Sequence, residues 1–292
     1  MDINILPLPP LRLRLCFIAG LLLIMQAGMA QADKMTVAVS IKPLHSLISG
    51  LLDGTGNEPS LILAGASSPH AYSLKPSDAR KLNAARIIFW IGPGLESFLE
   101  KPLQSLAGTS TVVTFVTDKN ANPHIWLSPI EARQMVDLAV TRLIDVDPDH
   151  QDIYRRNGSY LKKRLDALQA ELKHQLQGVK SKPFLVYHDA YDPLAKAFDL
   201  VIADMVVTNP QQSAGARHIA VLRKRMAAGE VSCLFAEPQV DNRRLNMIIE
   251  NIKGAKIGIL DPLGADLPPG KDMYFALMRQ NVRALVDCLS DR

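Results

Sequence analysis

The stretch PDHQDIYRRNGSYLKKRLDALQAELKHQLQG, residues 148–178, decides how the rest of the chain is read. Tyr154, Leu161, Leu165, Leu168, Leu172 and Leu176 recur at helical spacing, while Lys162-Lys163-Arg164 falls on the solvated side. The spacing predicts one near-continuous helix from Pro148 to Leu176, closed by Gly178, about 40 Å long at ~1.5 Å per residue. A helix of that length in mid-chain reads as a spine joining two halves. An extra packed surface helix is the other reading, and its length is unusual for one.

Outward from the spine, both flanks show the same alternation. On the N-terminal side, apolar β-rich runs at Thr36–Ile41, Ser60–Leu63, Arg86–Ile91 and Thr111–Val116 alternate with helical patterns at Leu44–Leu52, Pro76–Asn83, Glu96–Leu106 and Pro129–Asp145. Ser128 is the expected N-cap of the last of these. On the C-terminal side, strands are expected at Pro183–Tyr187, Val201–Val206, Ser232–Ala236 and Lys256–Leu260. Helices are expected there at Pro193–Phe198, Gly215–Ala227, Asp241–Asn251 and Asp272–Leu289. Strand-helix alternation on both sides of a spine predicts an α/β protein of two lobes with mainly parallel sheets.

The first residues read as a targeting segment. Arg12 and Arg14 form a basic start, Leu15 to Met25 an apolar stretch, and Ala27, Gly28, Ala30 and Ala32 a small-residue cleavage region. Cleavage is expected after Ala30 or Ala32. The apolar stretch is shorter than the ~20 residues needed to cross a bilayer, which argues against an anchor. The expected organisation is a signal peptide over 1–32, an N-terminal lobe over 33–147, the spine over 148–178 and a C-terminal lobe over 179–292. Cys16 falls in the signal segment and lacks the small preceding residue that lipidation needs. Cys233 and Cys288 then remain; in an exported chain they read as one disulfide, or else as two buried thiols.

Of 292 residues, 48% are hydrophobic and 21% charged, with a formal net charge of +4, enough apolar content for a sizeable core. There is no basic cluster with interleaved aromatics, so nucleic-acid binding is not expected.

The chemistry lies in the histidines. His70 and His124 sit in loop segments after strands of the first half; His188 ends the apolar strand that begins at Pro183. Asp261 ends the strand Lys256–Leu260. Ligands of open α/β sheets gather outside the carboxyl ends of strands, so three imidazoles and one carboxylate would converge if the lobes face each other. Neutral imidazole and carboxylate are ordinary Zn²⁺ ligands. Glu237 ends a strand nearby, as a partner of the site or as a charge at a helix terminus. Asp189 reads as a cap for the following helix rather than a group orienting His188. His45 lies near the cleft rim; His150 and His174 fall on the spine and His218 on a later helix, all read as structural or solvated.

Seven blocks in this order resemble the periplasmic solute-binding proteins of ATP-driven zinc importers, the ZnuA-type receptors. They are Ser40-Ile41-Lys42-Pro43-Leu44, His70 with Leu74-Lys75-Pro76-Ser77-Asp78, and Trp90-Ile91-Gly92-Pro93-Gly94-Leu95-Glu96. The others are His124-Ile125-Trp126-Leu127-Ser128-Pro129, Tyr187-His188-Asp189-Ala190-Tyr191, Phe235-Ala236-Glu237-Pro238-Gln239 and Leu260-Asp261-Pro262-Leu263-Gly264.

The resemblance implies two four-stranded α/β lobes tied by one long helix, with Zn²⁺ in the cleft on His70, His124, His188 and Asp261. It implies a disulfide between Cys233 and Cys288, a periplasmic monomer, and delivery to the membrane permease of an ABC importer. It implies no enzyme activity. His188 separates zinc-type from manganese- and iron-type relatives, which carry a carboxylate at the matching position; imidazole favours zinc. A receptor for manganese or iron is the alternative. A zinc hydrolase is a weaker one, since no H-E-x-x-H occurs and Glu237 is the one candidate base; a metal-dependent adhesin would need an anchor. Two departures from the family stand out. The His-rich loop that many zinc receptors carry before the residue matching His124 is reduced to Thr117–Pro123, without histidine. Pro69 stands where some relatives place a glutamate, so Asp261 or a water must complete the coordination sphere.

Overall fold

The computed structural model of the protein describes residues 34–65, 67–208, 210, 213–239 and 243–290. The expected signal peptide, 1–32, lies outside the described residues, as does the expected start of a helix at Asp241. From Met35 onward the chain forms one unit.

The first half contains β1 (Val37–Val39), α1 (Lys42–Leu52), β2 (Pro59–Leu61), α2 (Pro76–Ala84), β3 (Ile87–Trp90), α3 (Glu100–Ser105), β4 (Thr111–Thr114) and α4 (Pro129–Val146). Then comes the spine, α5 (Gln151–Leu176), entered through a 3₁₀ turn at Pro148–His150. The second half contains β5 (Phe184–Val186), α6 (Asp192–Phe198), β6 (Ile202–Met205), α7 (Ala216–Ala227), β7 (Cys233–Ala236), α8 (Arg243–Ile249), β8 (Lys256–Ile259) and α9 (Met273–Leu289). Each half makes a four-stranded sheet, in the orders β2-β1-β3-β4 and β6-β5-β7-β8. All pairings are parallel, so the expectation of mainly parallel sheets is met in full.

The central strands β1, β3, β5 and β7 are apolar and buried at every position because both faces of each sheet are covered. In β3, Ile87 and Phe89 enter the core shared with the spine, while Ile88 and Trp90 pack outward with Leu82, Leu99 and Leu103. In β7, Cys233 and Phe235 face the shared core and Leu234 and Ala236 the outer one. The spine stripe read from the sequence, Tyr154 to Leu176, is buried at every position in that shared core, which runs through both halves. Gly158 sits mid-spine at a cost of about 1 kcal/mol in helix propensity. A Cβ there would come within 2.7 Å of Val140, so glycine is what lets α4 lie close.

The segment expected as one helix over Glu96–Leu106 splits into a 3₁₀ turn at Ser97–Leu99 and α3. Glu96 is the cause. Its buried carboxylate accepts the Ile91 and Gly92 N–H groups at 2.9 and 3.0 Å, which holds residue 96 out of helical geometry. Ser128 caps α4 as expected, accepting the Glu131 N–H at 3.3 Å. Cys233 and Cys288 form a disulfide between β7 and α9, across a separation of 55 residues. Closing such a loop stabilises the fold by about 4 kcal/mol in the chain-entropy model.

The halves are joined tightly behind the cleft. Buried Lys42 of α1 donates its ammonium to the carbonyls of Gly264, Ala265 and Leu267, at 2.9, 2.8 and 3.2 Å. Gly264 has φ +71°, a conformation that glycine adopts without strain, and this shapes the turn for Lys42. Trp126 Nε1–H donates to Pro262 O at 2.7 Å, and Tyr274 O–H to Trp126 O at 2.8 Å, both bonds buried.

Candidate metal centre

The centre follows from sheet register. Strands β5 and β7 pair in parallel with Val186 opposite Phe235. Two residues further on, that register sets His188 beside Glu237. Residues level in parallel strands share a face, so the two side chains meet, His188 Nδ1 to Glu237 Oε1 at 2.7 Å. Both are almost fully buried. Of the two readings for Glu237, the structure selects partnership with the site.

His124 precedes the 3₁₀ turn Ile125–Leu127 that leads into α4, and its ring lies against Trp126 with centroids 5.2 Å apart. Asn122 holds it. Asn122 Oδ1 accepts both the His124 backbone N–H at 3.0 Å and Nδ1 at 2.9 Å, while its amide Nδ2 donates across the cleft to Asp189 O at 2.7 Å. These roles fix the amide orientation, so the His124 proton sits on Nδ1 and Nε2 carries a lone pair. His70 arrives on the 3₁₀ turn Pro69–Ala71, which begins at the proline found in place of a glutamate. Its loop is anchored by Tyr72, whose hydroxyl donates to Asp78 at 2.7 Å and whose ring packs on Phe98.

The three rings converge through Nε2. His70 Nε2 lies 3.3 Å and His188 Nε2 3.4 Å from His124 Nε2. A tetrahedral ion with Zn–N of about 2.0–2.1 Å would set its nitrogens about 3.3 to 3.4 Å apart. Both observed edges match that spacing. With the Nδ1 protons of His124 and His188 turned away toward Asn122 and Glu237, the short Nε2–Nε2 contact between them joins two lone pairs. Such a contact is repulsive alone and favourable around a cation. Outer partners that fix tautomer and ring orientation in this way are the usual companions of metal-binding histidine.

Electrostatics keeps these rings ready for a metal. Burial, followed by the neighbouring His188, lowers the His70 pKa to about 4. Burial and then the other two imidazoles push His124 well below its ordinary value. Glu237 is raised by burial, and its pairing with His188 opposes that shift.

His70, His124 and His188 form a group whose ligand atoms all lie within 4.8 Å of one another. Asp261, the fourth residue of the expected set, stays outside it. Its Oδ1 accepts the Leu263 N–H at 2.9 Å and Gln239 Nε2 at 3.3 Å, and its Oδ2 accepts the Ala265 N–H. Register again gives the reason. Ala236 pairs with Ile259, so the residue level with Glu237 is Leu260, and Asp261 is one step out of phase. Asn281 then pins its backbone through both its amide N–H and carbonyl, each at 2.8 Å.

The remaining residues fall elsewhere. His45 bonds Pro59 O at 3.0 Å, His218 bonds Met205 O at 2.7 Å and His174 is exposed on the spine. His150 lies in the turn before the spine and bonds Asp147 at 2.8 Å rather than standing solvated. Asp189 does not cap α6, whose N-cap is Tyr191; its carbonyl serves Asn122 instead. Sequence reading missed Asn122. Its one signal is the short Asn-x-His spacing, which lets one amide oxygen accept both N–H groups of the histidine two residues on.

Comparisons with known proteins identify relatives of the whole chain. The sequence profile of the family described as ZnuA, "Zinc-uptake complex component A periplasmic", matches residues 37–288. The chain is 33% identical to the high-affinity zinc uptake system protein ZnuA of Brucella suis, over 87% of this chain and 91% of that protein. Among solved structures, a crystal structure of ZnuA superposes with a TM-score of 0.77 at 25% identity, covering 88% of this chain and all (100%) of that one. The laminin-binding protein of Streptococcus agalactiae, described as bifunctional with adhesin and metal-transporting activity, superposes at 0.76 with 26% identity, covering 88% of this chain and 100% of that one. The chain belongs to the ZnuA family, the periplasmic A components of zinc-uptake complexes.

Proposed function

We propose that this protein is the periplasmic zinc receptor of an ABC importer, carrying Zn²⁺ on the Nε2 atoms of His70, His124 and His188. The observation behind this reading is the set of Nε2 edges of 3.3 and 3.4 Å, with the His124 and His188 protons turned outward to Asn122 and Glu237. An all-nitrogen set disfavours the harder manganese ion. The site binds and releases rather than catalyses: Glu237, the candidate base for a hydrolase, is committed to His188 at 2.7 Å.

The protein works as a monomer and passes zinc to a membrane permease. Residues 1–32 act as a cleaved signal peptide, 33–147 and 179–292 as the two lobes, and 148–178 as the spine. Among the described residues no helix is long and apolar enough to cross a membrane.

The test is a competition titration of Zn²⁺ and Mn²⁺ against a chromogenic chelator, wild type beside His188→Ala. Tight one-to-one zinc binding and weak manganese binding are expected. The variant should lose more than the 10–100-fold that an outer partner of a metal site is typically worth. Manganese binding as tight as zinc binding, or an unaffected variant, would overturn the assignment.

A further inference from the structure

An open groove of about 670 Å³ lies between the spine and α9, and none of its lining residues belongs to the metal centre. Its charged lining is three arginines, Arg164 of the spine with Arg279 and Arg283 of α9, against one acid, Asp272.

Two ion pairs set the register of the groove. Arg164 Nη2 donates to Asp272 Oδ1 at 2.7 Å, and Arg279 donates to Glu171 through both Nε and Nη2, at 2.8 and 2.7 Å. Both pairs join residues 108 apart in the chain, so the two helices run in the same direction. The same offset brings Gln175 level with Arg283, where a third acid would be needed. Arg283 is exposed and meets no carboxylate among the described residues. The two acids present are themselves accessible, Asp272 at 69% and Glu171 at 36%. Ion pairs in water are weak enough to be exchanged for an incoming carboxylate.

Arg164 is ordered in advance. Its guanidinium lies 3.8 Å from the centre of the buried Phe275 ring and 5.9 Å from that of the exposed Tyr160. A guanidinium held over an aromatic face keeps its in-plane N–H groups for acceptors, and their fork matches a carboxylate. The three cations stand level with spine positions 164, 171 and 175, a span of about 16 Å at ~1.5 Å per residue. A small anion is too short for that span, whereas an extended chain covers it in about five residues at ~3.3 Å each. Side chains on one face of an extended chain recur every ~7 Å, close to the ~6 Å step from Arg279 to Arg283.

We propose that this groove docks an extended acidic segment of a partner protein, with its carboxylates on Arg164, Arg279 and Arg283. The site is separate from the metal centre, and Glu171 acts as an internal competitor for Arg279.

The test titrates the mature, zinc-free protein with hexaglutamate by calorimetry at low salt. One-to-one binding is expected, weakening as salt is raised. Arg283→Ala breaks no ion pair within the described residues and should bind the peptide about fivefold more weakly. Its zinc affinity should match wild type. Glu171→Gln releases Arg279 and should bind the peptide about fivefold more tightly, a gain that a merely structural ion pair would not give. Tricarballylate, a tricarboxylate too short to reach all three cations, should bind about tenfold more weakly than the peptide. No peptide binding at low salt would overturn the proposal, as would tricarballylate binding as tightly as the peptide or a Glu171→Gln variant no tighter than wild type. An equal loss in Lys253→Ala, an exposed cation outside the groove, would also overturn it, by showing attraction to overall charge. Should Glu171→Gln not fold, Arg283→Ala set against Lys253→Ala decides.

Discussion

Replacing Glu237 probes how much of the zinc affinity comes from groups that never touch the metal. Its carboxylate is 3% exposed and meets His188 Nδ1 at 2.7 Å. Two things are lost on substitution: the acceptor that holds the ring with Nε2 facing the cleft, and a negative charge beside a site that gains two positive ones. Outer partners of this kind are worth about 10–100-fold in metal affinity, or about 1.4–2.7 kcal/mol. Glu237→Gln retains an acceptor oxygen and drops the charge, so it should fall near the tenfold end. Glu237→Ala loses both and should fall near the hundredfold end. The zinc-free protein gives the control. Burial already opposes the carboxylate's charge, so the neutral amide should leave the unfolding temperature of the zinc-free form unchanged or raised. The added stability at fixed free zinc, which scales with the logarithm of affinity, should shrink. Chelator competition and thermal unfolding with and without zinc measure both quantities. Equal affinity in wild type and Glu237→Gln, or a loss confined to the zinc-free stability, would refute the reasoning.

Asn122→Ala removes both acceptor contacts to His124 and the bond to Asp189 across the cleft; zinc affinity should drop about tenfold. Asn122→Asp keeps the contacts to His124 and loses the cross-cleft donor, so it should retain most affinity yet release zinc faster to a chelator in stopped flow; identical behaviour of the two variants would refute the dual role. Gly158→Leu forces a side chain against Val140 and should destabilise the protein by about 1–3 kcal/mol, read as a lower unfolding temperature. The folded zinc-free protein holds His70 and His124 below the ordinary imidazole range, so the unfolded chain binds more protons between about pH 6.5 and 4. Their contribution to stability is therefore complete above about pH 6.5 and lost as pH falls toward 4, and zinc-free unfolding temperatures across that window should decline; a flat profile would refute it.

The spine and both sheets were legible because their signals are local and periodic: the Tyr154–Leu176 stripe and the apolar runs around Ile88 and Leu234. The three histidines were legible because strand ends converge in this topology. The hydrogen-bond partners of the Asp261 carboxylate were not, because a strand end tells which rim a residue occupies and not which phase of the pleat it takes. That phase depends on the pairing of Ala236 with Ile259, which is long-range. The split of the helix over 96–106 was hidden for a related reason, since Glu96 answers to the N–H groups of Ile91 and Gly92 rather than to its own propensity.

The core shared along the spine has a bearing on when this protein folds. Its members include Leu44 and Leu47 near the start and Tyr274, Val282 and Leu289 in the closing helix. The first half therefore cannot seal its apolar interior until α9, the last element of the described chain, has arrived. An emerging N-terminal half stays open, and contacts spanning more than two hundred residues, such as Ser46 with Tyr274, must wait for the whole polypeptide. Truncation before Met273 should leave nothing stable on either side of the spine.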